Sequence, residues 1–448
     1  MNSSALQTDL YEITMAAAYF DNRLNRPASF ELFVRGLPDD RGYLLAAGLE
    51  QALDYLENFH FDAEQVAFLR SQPVFANVSR EFFDYLSAVR FTGWVWAVEE
   101  GTPVFPLEPL LRVIAPVIEA QLLETYLLST ITFQTSIATK AARCVQSAQG
   151  RPVLEFGSRR AHGPEAGVLA ARAAYIGGCT GSSNVEAAHR FGIPMFGTLA
   201  HSFISAHDHE EQSFTDFARV FPRDVVILLD TYDTLAAVDK IVTAGLRPSG
   251  VRLDSGDLVS LSNQVRRRLD QHGLTHTKII VSSDLDEHVI TALLAASAPI
   301  DVFGVGTALA TSKDAPALGG VYKLVEFDGK PRAKLSAGEE KISYPGCKQV
   351  LRSTESGIYT GDVIALEQEE SPGAEPLLKP VMSSGRRIKA NVSLAAIRAR
   401  SLEHTAKLPA DVRRLRYPAA YPLSISSSLM RLLDDVRQRI RGAGLRVA

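Results

Sequence analysis

Between Val153 and Gly306 a short apolar run alternates with a helical segment six times over, a pattern few folds accept. The runs are VLEFGS (153–158), PMFGTLA (194–200), VVILLD (225–230), GVRLDSG (250–256), IIVSSD (279–284) and DVFGVG (301–306). Between them lie EAGVLAARAAYIGG with SNVEAAHRFG, then TDFARVF, DTLAAVDKIVTAG, LVSLSNQVRRRL and DEHVITALLAAS, all with helical spacing of apolar residues. Runs that are apolar throughout, without polar alternation, are buried on both faces, as parallel strands with helical crossovers are. Two architectures fit, a (β/α) barrel and a doubly wound sheet. Polar residues and glycines collect at the same end of every run: Gly157-Ser158-Arg159, Thr198 to His201, Asp230, Arg252 to Asp254, Ser282 to Asp284 and Gly304 to Thr307. In a barrel these ends converge on one mouth, whereas a doubly wound sheet concentrates them at a switch point. The expectation is an α/β fold containing an irregular (β/α) barrel, six runs being too few for the regular eight-stranded form.

The flanks have another texture. Residues 1–20 predict a helix that Thr8 or Asp9 can cap. ASFELFV (28–34) and GYLLAAG (42–48) read as strands, GLEQALDYLENF as an amphipathic helix, 94–116 as short strands and turns, and 117–150 as one or two helices. Past Gly319, residues 320–336 predict a hairpin turning at Asp328-Gly329. KISYPGCKQVLR (341–352) is a second strand-turn unit, 368–378 a surface loop, and SLMRLLDDVRQRI an amphipathic helix. The expected organisation is an N-terminal α/β domain over 1–130 to which part of 320–400 contributes, a barrel over 131–320, and hairpins with a helical extension over 321–448. The chain of 448 residues is 46% apolar and 22% charged, with a formal charge of −4, which gives no electrostatic basis for binding nucleic acid or an anionic membrane. Cys144, Cys179 and Cys347 are odd in number and widely spaced, so neither a zinc site nor a disulfide framework is expected. The start has no basic region before an apolar core, and no apolar run reaches membrane-spanning length; a cytoplasmic protein is expected.

Several strand ends could carry chemistry. In DVFGVGT, Gly304, Gly306 and Thr307 could seat a phosphate through bare backbone N–H groups, or simply form a turn that needs glycine at positive φ. Arg252 and Asp254, two apart, share a face of an extended strand: a fork for a carboxylate or phosphate beside an acceptor for vicinal hydroxyls, or else a structural ion pair. EFGSRR sets Phe156 beside Arg159 and Arg160, whose side chains point to opposite faces if the segment is extended, leaving one solvated. Tyr11, in TDLYE, carries no signal of its own. His201 follows an apolar run and precedes HDHEE. In a helix the imidazoles of His207 and His209 would be about 200° apart, which argues against a metal site and for a solvated acidic face over 207–211. No nucleophile elbow or hydrolytic triad order occurs. These residues together describe a mouth for a phosphorylated, hydroxyl-bearing, anionic substrate and name no reaction.

TDLYEITMAAAYF, ITFQTSIATKAAR, EFGSRRAHGPEAG, GCTGSSN, GTLAHSFI, GVRLDSGDL, GVGT and GGVYKL, in this order from residue 8 to about 352, resemble the nicotinate phosphoribosyltransferase family. The resemblance implies a type II phosphoribosyltransferase fold, an irregular α/β barrel with a smaller α/β domain built from both ends of the chain. It implies synthesis of nicotinate mononucleotide and pyrophosphate from nicotinate and 5-phosphoribosyl-1-pyrophosphate, in NAD salvage, with ATP as co-substrate, Mg²⁺, and a homodimer with shared active sites. By motif, it implies that Tyr11 and Phe156 sandwich the pyridine ring, Tyr11 from the partner subunit. Thr198 and Arg252 would hold the nicotinate carboxylate, Asp254 the ribose hydroxyls, and Arg159 phosphate oxygens. Gly304, Gly306 and Thr307 would seat the 5-phosphate, and His201 would be phosphorylated by ATP. The rivals are an enzyme using nicotinamide or quinolinate, another phosphate-binding barrel such as an aldolase, and a non-catalytic pyridine-nucleotide sensor. An aldolase would want a lysine at a strand end, and none of the six runs has one.

Overall fold

The computed structural model describes residues 4–223, 225–335 and 343–442. Met1–Ser3 of the expected first helix, Ser336 of the hairpin and Lys341–Ile342 of the unit after it lie outside the described residues. The chain forms two compact units: residues 136–316 with 394–402, and residues 1–135, 317–393 and 403–448. The unit formed from both ends of the chain is the larger of the two, where the resemblance implies a smaller one.

The first unit holds a six-stranded sheet in the order Gly181–Ser182, Val153–Glu155, Val302–Val305, Lys278–Val281, Gly250–Leu253, Val226–Leu228. Every pairing is parallel. Strands that follow one another in the chain are neighbours, and the last pairs with the first through Phe303 and Val153. That is the order of a ring, open only between Gly181–Ser182 and Val226–Leu228, and not that of a sheet with a switch point. Ile227, Val251, Leu253, Ile279, Val281, Phe303 and Val305 are fully buried, which is why these runs carry no polar alternation. Four crossover helices start on a side-chain cap: Asn184, Asp233, Asp257 and Asp286 each accept from backbone N–H groups of the first turn.

One expected strand is corrected. PMFGTLA contributes only an isolated parallel bridge, Met195 to Ser182, and Met195 and Phe196 are exposed. The strand in that part of the ring is Gly181–Ser182, between the two helical segments EAGVLAARAAYIGG and SNVEAAHRFG. Gly181 permits the pairing, since a Cβ there would lie 2.3 Å from the Pro194 carbonyl oxygen. A two-residue strand is too short to show an apolar run.

A buried ionic cluster lies within the same unit. Glu287, the first residue of helix Glu287–Ala295, meets Lys140 Nζ at 2.5 Å and Arg143 Nε at 2.8 Å. Burial opposes its ionisation, but the two cations outweigh burial and hold its carboxyl below the ordinary value of 4.5. A depressed carboxyl adds stability above its unfolded pKa and loses it as pH falls through the lower folded value. Glu287→Gln is therefore expected to cost about 3 kcal/mol at pH 7, as breaking a buried pair does. In melting curves of the two proteins, the gap should close as the pH drops below 4.5; a gap independent of pH would contradict this.

The second unit is built on a seven-stranded antiparallel sheet, ordered Lys330–Pro331, Gly320–Phe327, Pro27–Val34, Pro109–Pro116, Trp94–Val98, Leu378–Ser383, Arg386–Arg387. Helices Leu10–Asp21, Leu49–Asn58 and Arg80–Ala88 contribute to its apolar core. A four-stranded sheet, Glu375–Pro376, Lys348–Glu355, Ile358–Leu366 and Leu423–Ile425, belongs to the same unit. There Arg352 pairs with Asp362 at 2.6 Å, its guanidinium over the Phe105 and Tyr359 rings. GYLLAAG gives only the strand Leu44–Leu45. Asp9 occupies the N-cap position of the first helix without capping it; its carboxylate accepts from Thr125 Oγ1 (3.0 Å), while Thr8 Oγ1 donates to Glu12 (2.6 Å). No described helix is long and apolar enough to cross a membrane.

Candidate active site

The C-terminal ends of the parallel strands surround a cavity of about 240 Å³ lined by Phe156, Arg159, Arg160, Ser183, Gly197, Thr198, Arg252, Asp254, Ser282, Ser283, Asp284, Gly304, Gly306 and Thr307. At its centre is Arg252, on the strand Gly250–Leu253. Its Nε donates to Ser282 Oγ (2.7 Å), Nη1 to Thr198 Oγ1 (2.9 Å) and Nη2 to Asp254 Oδ1 (2.7 Å). A guanidinium has five N–H groups, so one on each terminal nitrogen is left for a ligand. Ser282 Oγ also donates to Asp254 Oδ1. Burial opposes the charge on Asp254, but the Ser282 hydrogen bond and the Arg252 guanidinium prevail and keep the carboxyl below its ordinary value of 3.8. Asp254 is therefore an anion at neutral pH. Its backbone N–H donates to Asp230 Oδ2 (3.0 Å), which fixes the turn.

Phe156 follows the strand Val153–Glu155; its N–H donates to the Val305 carbonyl at 2.8 Å, and the Arg252 guanidinium lies 5.9 Å from its ring centre. Beneath the ring is Gly304, where a Cβ would come within 2.6 Å of ring carbon Cδ2. Neither Gly304 nor Gly306 has positive φ, so the turn reading of GVGT is set aside: Gly304 is bare to let an aromatic ring lie on the strand. Gly304→Ala is expected to tilt Phe156 out of place and raise KM for a ligand stacked on its ring about fivefold, an aromatic contact being worth roughly 1 kcal/mol. Steady-state kinetics check this, and an unchanged KM would mean that the ring contributes nothing to binding.

Ser158–Arg160 is a 3₁₀ turn, not extended chain, so Arg159 and Arg160 do not alternate and both line the cavity. The reading that one of them is a purely solvated charge is corrected. Glu155, fully buried behind this turn, accepts from Ser182 Oγ (2.6 Å) and the Gly157 N–H. Thr307 opens the short helix Thr307–Ala310 directly after Gly306.

His201 is the first residue of helix His201–Ser205 and is exposed. Its Nδ1 lies 3.1 Å from Thr231 Oγ1, and its Nε2 3.8 Å from Asp254 Oδ2. The 207–211 segment is solvated only in part, at Asp208 and His209. His207 Nδ1 meets the Phe203 carbonyl at 2.8 Å, and Glu210 is buried against Lys240 Nζ at 2.7 Å. Among the described residues no three His, Cys, Asp or Glu gather as a metal site. Tyr11 lies in the other unit, on helix Leu10–Asp21, with 45% of its surface exposed.

The structure thus brings Phe156, Arg159, Thr198, Arg252, Asp254, Gly304, Gly306 and Thr307 to one cavity and His201 to the edge of Asp254. Sequence reasoning missed Arg160, Ser183, Ser282, Ser283 and Asp284 as site residues. Ser282 to Asp284 end an apolar run like the residues that were found, and that position was their signal. Ser183 follows a strand too short to notice.

Comparison with known proteins bears on the whole chain. The models of the nicotinate phosphoribosyltransferase N-terminal and C-terminal domains match residues 6–132 and 373–433, and the model of the quinolinate phosphoribosyl transferase C-terminal domain matches 137–315. A nicotinate phosphoribosyltransferase of Mycobacterium tuberculosis is 47% identical over 441 residues, covering 97% of this chain and 94% of its own. One from Bacillus subtilis is 40% identical, covering 98% and 97%. The crystal structure of human nicotinic acid phosphoribosyltransferase superposes with a TM-score of 0.85 at 31% identity, covering 96% of this chain and 99% of that one. Nicotinate-nucleotide pyrophosphorylase from Pyrococcus furiosus superposes with a TM-score of 0.74 at 26% identity, covering 90% and 95%.

Proposed function

The chain belongs to the nicotinate phosphoribosyltransferase family, and on that footing we propose that it joins nicotinate to 5-phosphoribosyl-1-pyrophosphate, releasing nicotinate mononucleotide and pyrophosphate, in NAD salvage with ATP hydrolysis coupled through His201. The observation that carries the reading is the Arg252 fork. It is held by three partners, has two N–H groups left over, and stands beside an aromatic ring laid on glycine. A flat ring bearing one carboxylate suits that arrangement.

Each residue then has a task. Phe156 stacks on the pyridine ring, and Tyr11 of a second copy completes the sandwich in a homodimer with shared sites. Arg252 and Thr198 hold the carboxylate and so aim the ring nitrogen. Asp254 Oδ2, not engaged with Arg252, takes the ribose hydroxyls. Arg159, joined by Arg160, holds pyrophosphate oxygens, while Gly304, Gly306 and Thr307 receive the 5-phosphate. Bond breaking at the ribose carbon builds oxocarbenium character, as at other glycosyl centres, and the anionic Asp254 is placed to stabilise it. Mg²⁺ is commonly held by one or two carboxylates together with substrate phosphates, and Asp254 and Asp284 offer that donor set in the cavity. There it would neutralise charge on the departing pyrophosphate.

For His201, an Nδ1–H donated to Thr231 Oγ1 leaves the Nε2 lone pair free. That nitrogen attacks the γ-phosphorus of ATP, the bond to the bridging oxygen breaks, and ADP leaves. Water later cleaves the phosphohistidine to phosphate. The phosphoryl group would add negative charge at the mouth, next to where the cation gathers.

The assay is nicotinate mononucleotide formation from nicotinate, phosphoribosyl pyrophosphate and Mg²⁺, with and without ATP, with nicotinamide and quinolinate run in parallel. Quinolinate is included because residues 137–315 match the quinolinate enzyme's domain model and three arginines line the cavity. Product from nicotinate that rises with ATP supports the reading. Preference for another base overturns the substrate assignment, and no product from any base favours the sensor.

A further inference from the structure

Two turns that line the cavity are joined beneath it by one buried ammonium. Residues 282–284 lead, through the cap Asp286, into Glu287. Residues 304–307 lead, through helix Thr307–Ala310, to Asp314. Lys140, on the part of helix Glu124–Ser147 that belongs to this unit, reaches both: Nζ is 2.5 Å from Glu287 Oε2 and 2.7 Å from Asp314 Oδ1. Lys140 and Glu287 are 2% and 0% exposed, while Asp314 is 41% exposed. None of the three lines the cavity.

Arg143 shares Glu287, so the two cations Lys140 and Arg143 face the two anions Glu287 and Asp314. A buried ion pair is a poor source of stability compared with apolar packing of the same volume, but it fixes relative position, because each charge must keep its partner. Here the positions fixed are those of the 282–284 and 304–307 turns. The connection from Thr307 to Asp314 is itself short and bonded: Thr311 Oγ1 donates to the Thr307 carbonyl at 2.7 Å, and Ser312 is buried at a φ of 43°. A shift at Asp314 is therefore carried to Thr307. Arg252 and Thr198 lie on other elements, and Arg252 meets the 282–284 turn through the Ser282 hydroxyl alone.

We propose that Lys140, bridging Glu287 and Asp314, is a positioning residue that sets the separation of the turn carrying Asp284 and the turn seating the 5-phosphate, and so governs affinity for phosphoribosyl pyrophosphate more than for nicotinate. This rests on the proposed activity. Asp314→Asn, on the exposed arm, is the variant that keeps the fold, and Asp314→Glu restores the charge.

The test is calorimetric binding of phosphoribosyl pyrophosphate with Mg²⁺, followed by KM for each substrate and the melting temperature. The expected result for Asp314→Asn is about tenfold weaker phosphoribosyl pyrophosphate binding, misplacement of groups by an ångström being able to cost up to a hundredfold. KM for nicotinate should change less than about twofold and Asp314→Glu should recover most of the loss. Lys140→Met should reproduce the same split where it folds. Unchanged phosphoribosyl pyrophosphate affinity in Asp314→Asn overturns the proposal, as does a matched rise in both KM values with a lowered melting temperature. A wild-type chain that binds no phosphoribosyl pyrophosphate overturns the activity itself, and this proposal with it.

Discussion

Arg252→Ala is expected to lower kcat/KM for nicotinate by about a thousandfold, truncation of one partner in a buried hydrogen-bonded charge pair costing roughly 2–5 kcal/mol. The loss has two sources. The carboxylate of the substrate has no fork to meet, and Asp254 keeps its charge with only Ser282 and a distant His201 as partners. Arg252→Lys is expected to recover little. One ammonium cannot replace a planar group that meets Ser282, Thr198 and Asp254 with three different nitrogens. Activity on nicotinamide, which lacks the carboxylate, should fall far less, and the ratio of the two activities is the measurement. Equal losses on both bases would show that Arg252 acts through Asp254 alone.

His201→Ala is expected to abolish stimulation by ATP and leave nucleotide synthesis without ATP within about threefold of wild type, since the side chain is exposed and few contacts are lost. Incubation with γ-labelled ATP should leave acid-labile, alkali-stable label on wild-type protein and none on the variant. Equal loss of both activities would make the histidine a structural support of Asp254. Thr231→Val is a finer version: it removes the hydroxyl that holds the imidazole at Nδ1, and labelling should slow while synthesis without ATP persists.

Much of this site was legible in the sequence because the barrel collects its chemistry at strand ends. Residues such as Arg252, Asp254 and Gly304 announce themselves by interrupting an apolar run. What was hidden depended on the third dimension. Phe196 and Met195 look like core in PMFGTLA, and only their exposure shows that the ring opens there. Arg160 looked solvated because a 3₁₀ turn cannot be told from extended chain in GSRR. Ser282 stood at a strand end with no task assigned to it, though its hydroxyl ties Arg252 to Asp254. Lys140 sits in a helix with apolar periodicity, and a buried ammonium there has no signature until its two acids are brought together. For Gly304 the expected reason was backbone exposure to phosphate; the structure adds another, the ring above it.

That ring has a mechanical meaning. Phe156 rests on main chain, with no side chain between it and the strand to compress or rotate away. One wall of the slot is then as stiff as the ladder that pairs Gly304 with Leu154. Spacing between hydrogen-bonded strands is among the least compliant dimensions a protein has. Closed by Tyr11 of a second copy, as proposed, a slot gauged in this way would measure thickness. It would admit flat heterocycles of one depth and give a puckered or buckled ring nowhere to push, whatever charges that ring carries.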